Sequence, residues 1–286
     1  MSDSKFQKHT LQLNGTGRLV YWERPGRDQT MILLHGFSGD HLGLMELAEA
    51  LPKDVQIIVP DLPGFGVSDD PSEKAQQSLL AYATCLDGVV DKAAATDKVI
   101  LLGHSFGCMV AFIYAAKRPE KVSALIGVCP LTTRKVLPRL LGAVGTAAFR
   151  HLGFERSKHI LAWPPLVDSE TYYLLWRLPK ARHEAVRNHR RREAAVFRPS
   201  TFTMISAADN FRRDAHDLWL SCPALFIVAS DDNVAGRTDD AWFRARVNDV
   251  SLRYCRGGHL APVIFPEEIA ASILDATLLT TSKKRV

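Results

Sequence analysis

The stretch Leu101-Leu102-Gly103-His104-Ser105-Phe106-Gly107 decides how this chain is read. It sets G-x-S-x-G directly after the apolar run Val99–Leu102 and directly before an amphipathic pattern over Phe106–Ala116. A strand, a sharp turn and a helix in that order form a nucleophile elbow. Gly103 and Gly107 lack the Cβ atoms that would obstruct so tight a turn. The turn lifts the Ser105 hydroxyl above the sheet at a helix N-terminus, where negative charge is favoured.

A serine hydroxyl is a poor nucleophile until a base takes its proton. In an elbow of this kind the chain order is serine, acid, histidine. Of ten histidines, only His259 lies beyond the last strand candidate, following Arg256-Gly257-Gly258. The acid belongs at a strand end between the two, to orient the imidazole and stabilise its protonated form. Ala224–Ala229 ends in Ser230-Asp231-Asp232-Asn233, and the residues alone leave Asp231 and Asp232 both open. The preceding strand ends Val128-Cys129-Pro130-Leu131-Thr132-Thr133, with no carboxylate. An oxyanion hole needs two N–H donors. The Phe106 N–H is one candidate. The other is the Phe37 N–H, in Leu33-Leu34-His35-Gly36-Phe37-Ser38-Gly39 after an early apolar strand.

Further out, short β-branched runs alternate with helical patterns, which predicts an α/β fold with a mostly parallel central sheet flanked by helices. Strands are expected near Leu11–Leu13, Arg18–Glu23, Thr30–Leu34, Gln56–Val59, Lys98–Leu102, Val122–Val128, Ala224–Ala229 and Val250–Cys255. The later runs are nearly continuous in apolar character, as strands covered on both faces should be. Helices are expected near Leu42–Leu51, Ser78–Ala94, Phe106–Ala116 and Pro266–Leu278. Between about Leu131 and His216 the alternation stops in a helix-rich, aromatic stretch broken by Trp163-Pro164-Pro165. The expected organisation is a core of residues 1–130 and 217–286, with a helical lid, 131–216, inserted between sheet strands.

Composition agrees with a folded domain. The 286 residues are 47% hydrophobic and 23% charged, enough to bury a large core. A formal charge of +5 permits attraction to anions without demanding nucleic acid. No recognition module or row of interleaved stacking aromatics accompanies it, so no nucleic-acid partner is expected. Cys85, Cys108, Cys129, Cys222 and Cys255 are odd in number, form no C-x-x-C pair, and read as reduced thiols in or near the core. The polar start, Met1–Thr10, and the lack of a long apolar run predict no secretory signal, no membrane span and a cytoplasmic location. No metal, P-loop or dinucleotide motif occurs, so no metal or cofactor is expected. Nothing in the pattern speaks to oligomeric state.

Taken together, His35-Gly36-Phe37, Asp61-Leu62-Pro63-Gly64-Phe65-Gly66-Val67-Ser68, Gly103-His104-Ser105-Phe106-Gly107, Asp231-Asp232 and Gly258-His259 resemble the α/β-hydrolase superfamily in its lid-bearing serine hydrolase branch. The resemblance covers about residues 10–278 and implies the α/β-hydrolase fold. Members often read Gly-x-x-Asp after the acid strand, which implies Asp232; Ala229 stands where that Gly is usual, which keeps Asp231 in play. It also implies a structural role for Asp61 and a packing role for His104. Epoxide hydrolases and haloalkane dehalogenases of the superfamily use an aspartate nucleophile, which Ser105 disfavours. Ser38-Gly39-Asp40 differs from the Gly-Pro-Gly of the C–C hydrolases, and Phe106 from the Met of cofactor-free haloperoxidases. The implied activity is carboxylic ester hydrolysis of a small-molecule substrate by Ser105, His259 and Asp232. Lactone or thioester hydrolysis, and a ligand-binding receptor on a hydrolase fold, are the alternatives. In the lid, Trp163, Leu166, Tyr172, Tyr173, Leu175 and Trp176 suit an acyl pocket or the lid's own core. Arg177, Lys180, Arg182, Arg187, Arg190, Arg191, Arg192 and Arg198 suit a solvated helix face better than an anion collar.

Overall fold

The computed structural model describes residues 6–13, 17–70, 78–131, 147, 151–153, 156, 180–195, 198, 207–208, 210–232, 234 and 240–276. Among them, eight strands form one sheet: β1 (Gln7–Leu13), β2 (Gly17–Arg24), β3 (Gln29–Leu34), β4 (Val55–Pro60), β5 (Val99–His104), β6 (Val122–Val128), β7 (Ala224–Ala229) and β8 (Val250–Cys255). Their spatial order is β1-β2-β4-β3-β5-β6-β7-β8. β2 runs antiparallel to both of its neighbours, and every other pairing is parallel. The expected α/β-hydrolase sheet is therefore present.

Period-two alternation along the central strands feeds two separate cores. Met31, Leu33, Ile100, Leu102 and Ile126 face one side, where they meet Leu47 and Ala48 of α1 (Met45–Ala50). Ile32, Leu34, Leu101 and Leu125 face the other, where Leu86 and Val89 of α2 (Leu79–Ala93) and most of α3 (Phe106–Lys117) cover them. Ser78 caps α2 by accepting from the Ala81 N–H at 3.1 Å. The remaining helices are α4 (His183–Ala195), α5 (Phe211–Asp214), α6 (Asp240–Arg244), α7 (Ala261–Ile264) and α8 (Pro266–Asp275). α8 adds Ile269, Ala270 and Ile273 to the α1 side.

Three expectations differ in detail. The segment expected as one helix over Leu42–Leu51 breaks in two: His41–Gly43 is a 3-10 turn closed by Leu44 N–H to His41 O at 3.0 Å, and α1 starts only at Met45. α3 is buried on every side over Phe106–Ala115 rather than amphipathic, because it is wedged between α2 and the β5–β6 surface. β8 is not covered on both faces; it is the outermost strand, its residues half-buried or exposed, with Tyr254 68% exposed. The five cysteines are free thiols, four buried and Cys255 half-buried. Burial pushes the Cys108 thiol up to about 12, as suits an inert core residue. No helix among the described residues is long and apolar enough to cross a membrane.

Candidate active site

β5 delivers Ser105 to the C-terminal edge of the sheet, and α3 begins one residue later. Ser105 has φ 52° and ψ −114°, a region L-residues avoid. Its N–H donates to Val128 O and its carbonyl accepts from the Cys108 N–H, each at 3.0 Å, which holds the strained residue in place. The flanking glycines are sterically required. A Cβ on Gly103 would lie 2.4 Å from the Cys108 nitrogen, and one on Gly107 would lie 2.3 Å from Leu34 O.

β8 ends at Cys255, and Gly257 (φ 103°) and Gly258 (φ 60°) then swing His259 over the elbow. His259 Nε2 lies 2.8 Å from Ser105 Oγ, and its Nδ1 lies 2.8 Å from Asp232 Oδ2. A carboxylate only accepts, so Nδ1 carries the proton and Nε2 is left to accept from the serine hydroxyl. The other carboxylate oxygen, Oδ1, accepts from the Val234 N–H at 2.9 Å, which fixes the acid. The imidazole and carboxylate side chains are 12% and 6% exposed, so this line of hydrogen bonds is largely shielded from water. Asp231, the other acid left open, points elsewhere: its Oδ1 accepts from the Gly258 N–H at 2.9 Å.

The loop after β3 approaches from the opposite side. A Cβ on Gly36 would come within 3.3 Å of Ser105 Cβ, so the residue preceding Phe37 borders the serine directly. His35 braces this loop from within. The Leu62 N–H donates to its Nε2 at 3.0 Å, which leaves Nδ1–H to donate to Gly36 O at 2.8 Å. Burial lowers the His35 pKa and keeps the ring neutral in that role. Among the described residues, neither the Phe37 nor the Phe106 N–H donates to another protein group. Phe106 is the first residue of α3, where such donors are orphaned by helix geometry. Among the described residues both N–H groups are thus without a protein acceptor, one directly after the serine and one directly after Gly36, which borders it.

Asp61 is fully buried behind this loop. Its Oδ1 accepts from the His41 backbone N–H at 2.7 Å and from His41 Nδ1–H at 2.9 Å, and its Oδ2 accepts from the Val67 N–H at 2.9 Å. Burial alone would raise its pKa, but the His41 hydrogen bond and the other partners outweigh it and hold the carboxyl below its usual range. Sequence reasoning assigned His104 to packing alone. In the structure its Nε2 also lies 2.8 Å from His259 O. No sequence signal announces that contact, since the two residues are 155 positions apart.

The aromatic lid residues Trp163, Leu166, Tyr172, Tyr173, Leu175 and Trp176, together with Arg177, lie outside the described residues. α4 is described, and it docks on the site's flank: Val186 packs with Leu260, Val263 and Ile264, and His189 is buried. Two of the arginines read as solvated are engaged with the core. Arg182 bridges Glu46 and Glu267, and Arg198 donates to Gly66 O at 2.9 Å and Ser68 O at 2.8 Å. Among the described residues, no group of three or more His, Cys, Asp or Glu side chains is arranged to hold a metal ion.

Comparison with known proteins agrees with the fold. A family model described as alpha/beta hydrolase fold matches residues 29–243. The chain is 28% identical to the cis-3-alkyl-4-alkyloxetan-2-one decarboxylase of Shewanella oneidensis over 141 residues, 48% of this chain and 44% of that protein. It is 31% identical to a probable serine hydrolase of Drosophila melanogaster over 142 residues, 49% of this chain and 43% of that protein. The matches therefore span less than half the length of these relatives. The solved structure of a thermophilic esterase from Thermogutta terrifontis, malate bound, superposes with a TM-score of 0.73 at 22% identity, covering 96% of this chain and 99% of that one. At that identity the likeness is one of fold.

Proposed function

The chain belongs to the α/β-hydrolase fold family, and from that premise we propose that it is a serine hydrolase cleaving carboxylic esters of small to medium apolar acyl or alcohol groups. The observation that carries the reading is the unbroken hydrogen-bonded line Asp232–His259–Ser105, with 2.8 Å at each step. Ser105 attacks the ester carbonyl as His259 Nε2 takes its proton. The oxyanion of the tetrahedral intermediate accepts from the Phe37 and Phe106 N–H groups. His259 returns the proton to the leaving alcohol, and the acyl-enzyme is then hydrolysed by a water that His259 activates. Asp232 stays ionised throughout and stabilises the imidazolium. Within the proposed lid insertion, residues 131–216, α4 packs Val186 against Leu260, the neighbour of His259. The serine speaks against the aspartate-dependent activities of the family, and the reading calls on no metal or cofactor.

A cyclic ester is a second reading, favoured by one observation: a relative is named for an oxetan-2-one, a four-membered lactone. The test is hydrolysis of nitrophenyl esters of increasing acyl length, alongside a set of small lactones, by wild type and by Ser105→Ala. The expected result is a preferred acyl length, with a loss of about 10⁴-fold or more in the variant. Activity unchanged by the substitution overturns the assignment of Ser105. Turnover of lactones with no ester turnover selects the second reading, and binding without turnover of either selects a receptor.

A further inference from the structure

The histidine loop starts with two glycines at positive φ, a backbone with little stiffness of its own. Nevertheless His259 must present Nε2 to Ser105 within hydrogen-bond reach. The loop is gripped from three strand ends, one of them that of β6, where Cys129 Sγ–H donates to Gly258 O at 3.4 Å. Asp231, at the end of β7, accepts from the Gly258 N–H at 2.9 Å. His104, the last residue of β5, reaches the His259 carbonyl with Nε2 at 2.8 Å. A carbonyl only accepts, so Nε2 carries the proton of His104 and Nδ1 is bare. That bare edge faces Gly36, where an added Cβ would stand 3.0 Å from Nδ1. His104 therefore fills the space between the loop bordering the nucleophile and the loop bearing the base.

We propose that His104 is a positioning residue: by donating to the His259 carbonyl and filling the space beside Gly36, it sets the distance between His259 and Ser105. The proposal rests on the reading of Ser105 and His259 as nucleophile and base. Charge makes the choice of side chain intelligible. The two rings are 5.3 Å apart, and His259 becomes cationic during acyl transfer, so a second cation there would oppose it. Burial first, and the neighbouring His259 second, hold the His104 pKa down to about 3, so it remains a neutral donor throughout the working range.

The test compares His104→Gln with His104→Asn. The glutamine amide nitrogen is as many bonds from the backbone as Nε2 and can reach the carbonyl; the asparagine amide is one bond too short. Values of kcat and KM are measured per site titrated with a nitrophenyl alkylphosphonate. His104→Asn is expected to lower kcat roughly 100-fold, the scale of a misplacement of about 1 Å, with KM changed less than about threefold. His104→Gln is expected to recover most of the loss. An unchanged kcat in His104→Asn, or equal losses in both variants, overturns the proposal. A second readout needs no turnover: the far-downfield proton NMR signal of His259 Nδ1–H, bonded to Asp232, is expected in wild type and His104→Gln and lost in His104→Asn. If that signal persists in folded His104→Asn, the proposal fails even for a chain that hydrolyses nothing. Absence of ester turnover in a wild type that behaves as expected by NMR overturns only the proposed function.

Discussion

At the scale of single residues, the two adjacent acids show how one residue of position separates two roles. Asp232 meets the imidazole, whereas Asp231 holds the loop that carries it. Asp232→Asn removes the charge that stabilises imidazolium and allows the wrong tautomer, so kcat is expected to fall about 10⁴-fold. Asp231→Asn keeps an oxygen able to accept from the Gly258 N–H, and its loss is expected to stay under about tenfold. Steady-state kinetics on the two variants checks the order, and a larger loss from Asp231→Asn would exchange the assignments. Sequence order alone leaves the choice open, because both residues follow the same strand end.

The elbow belongs to the scale of elements. β5 is buried along its whole length, so alternation of polar and apolar side chains does not pin its register as it would in a half-exposed strand. Glycines do that instead. Gly103 pairs with Leu34 on one side and Gly127 on the other, and Cβ atoms on Gly103 and Gly127 would collide with Cys108 at the start of α3. Close approach of α3 to the sheet is thus possible in only one register. Gly107→Ala would drive a methyl into Leu34 O, and a destabilisation of about 3 kcal/mol is expected, read as a lower denaturant midpoint with unchanged slope. The same reasoning explains where element boundaries were legible. Apolar runs such as Val99–His104, which leads into the glycine-marked elbow, are recovered to within two residues. The outer position of β8 is not, because Val250, Leu252 and Cys255 look like covered residues until the order of strands is known.

At the scale of the whole molecule, Asp61 ties together segments that no short window of sequence connects. His41 follows the loop after β3, and Val67 lies in the loop after β4; the buried carboxylate binds both. Asparagine has one acceptor oxygen, so Asp61→Asn must turn its NH₂ toward a donor on one side. The expected cost is about 3 kcal/mol. The folded-state pKa of Asp61 lies below its unfolded value, so its contribution is complete above the ordinary carboxylate pKa of about 3.9 and is lost as pH falls through the lowered folded value. Asp61→Asn is therefore expected to unfold with a weaker acid dependence below about pH 4, measured by chemical denaturation across pH. An unaltered acid dependence would show that other carboxylates govern it.

The sequence by itself determined the fold class, the eight strands and the candidate chemistry at Ser105, His259, Asp231 or Asp232, Phe37 and Phe106. It could do so because glycines, apolar runs and chain order are local properties that one strand–turn–helix requires. Which acid faces the imidazole, that His104 grips His259, that Asp61 joins two loops and that Arg182 and Arg198 bind the core were decided only by tertiary structure. Each is a hydrogen bond or ion pair made across strand ends or onto a distant loop. Its partners are set by how the sheet orders and twists its strands, and no residue spacing encodes that.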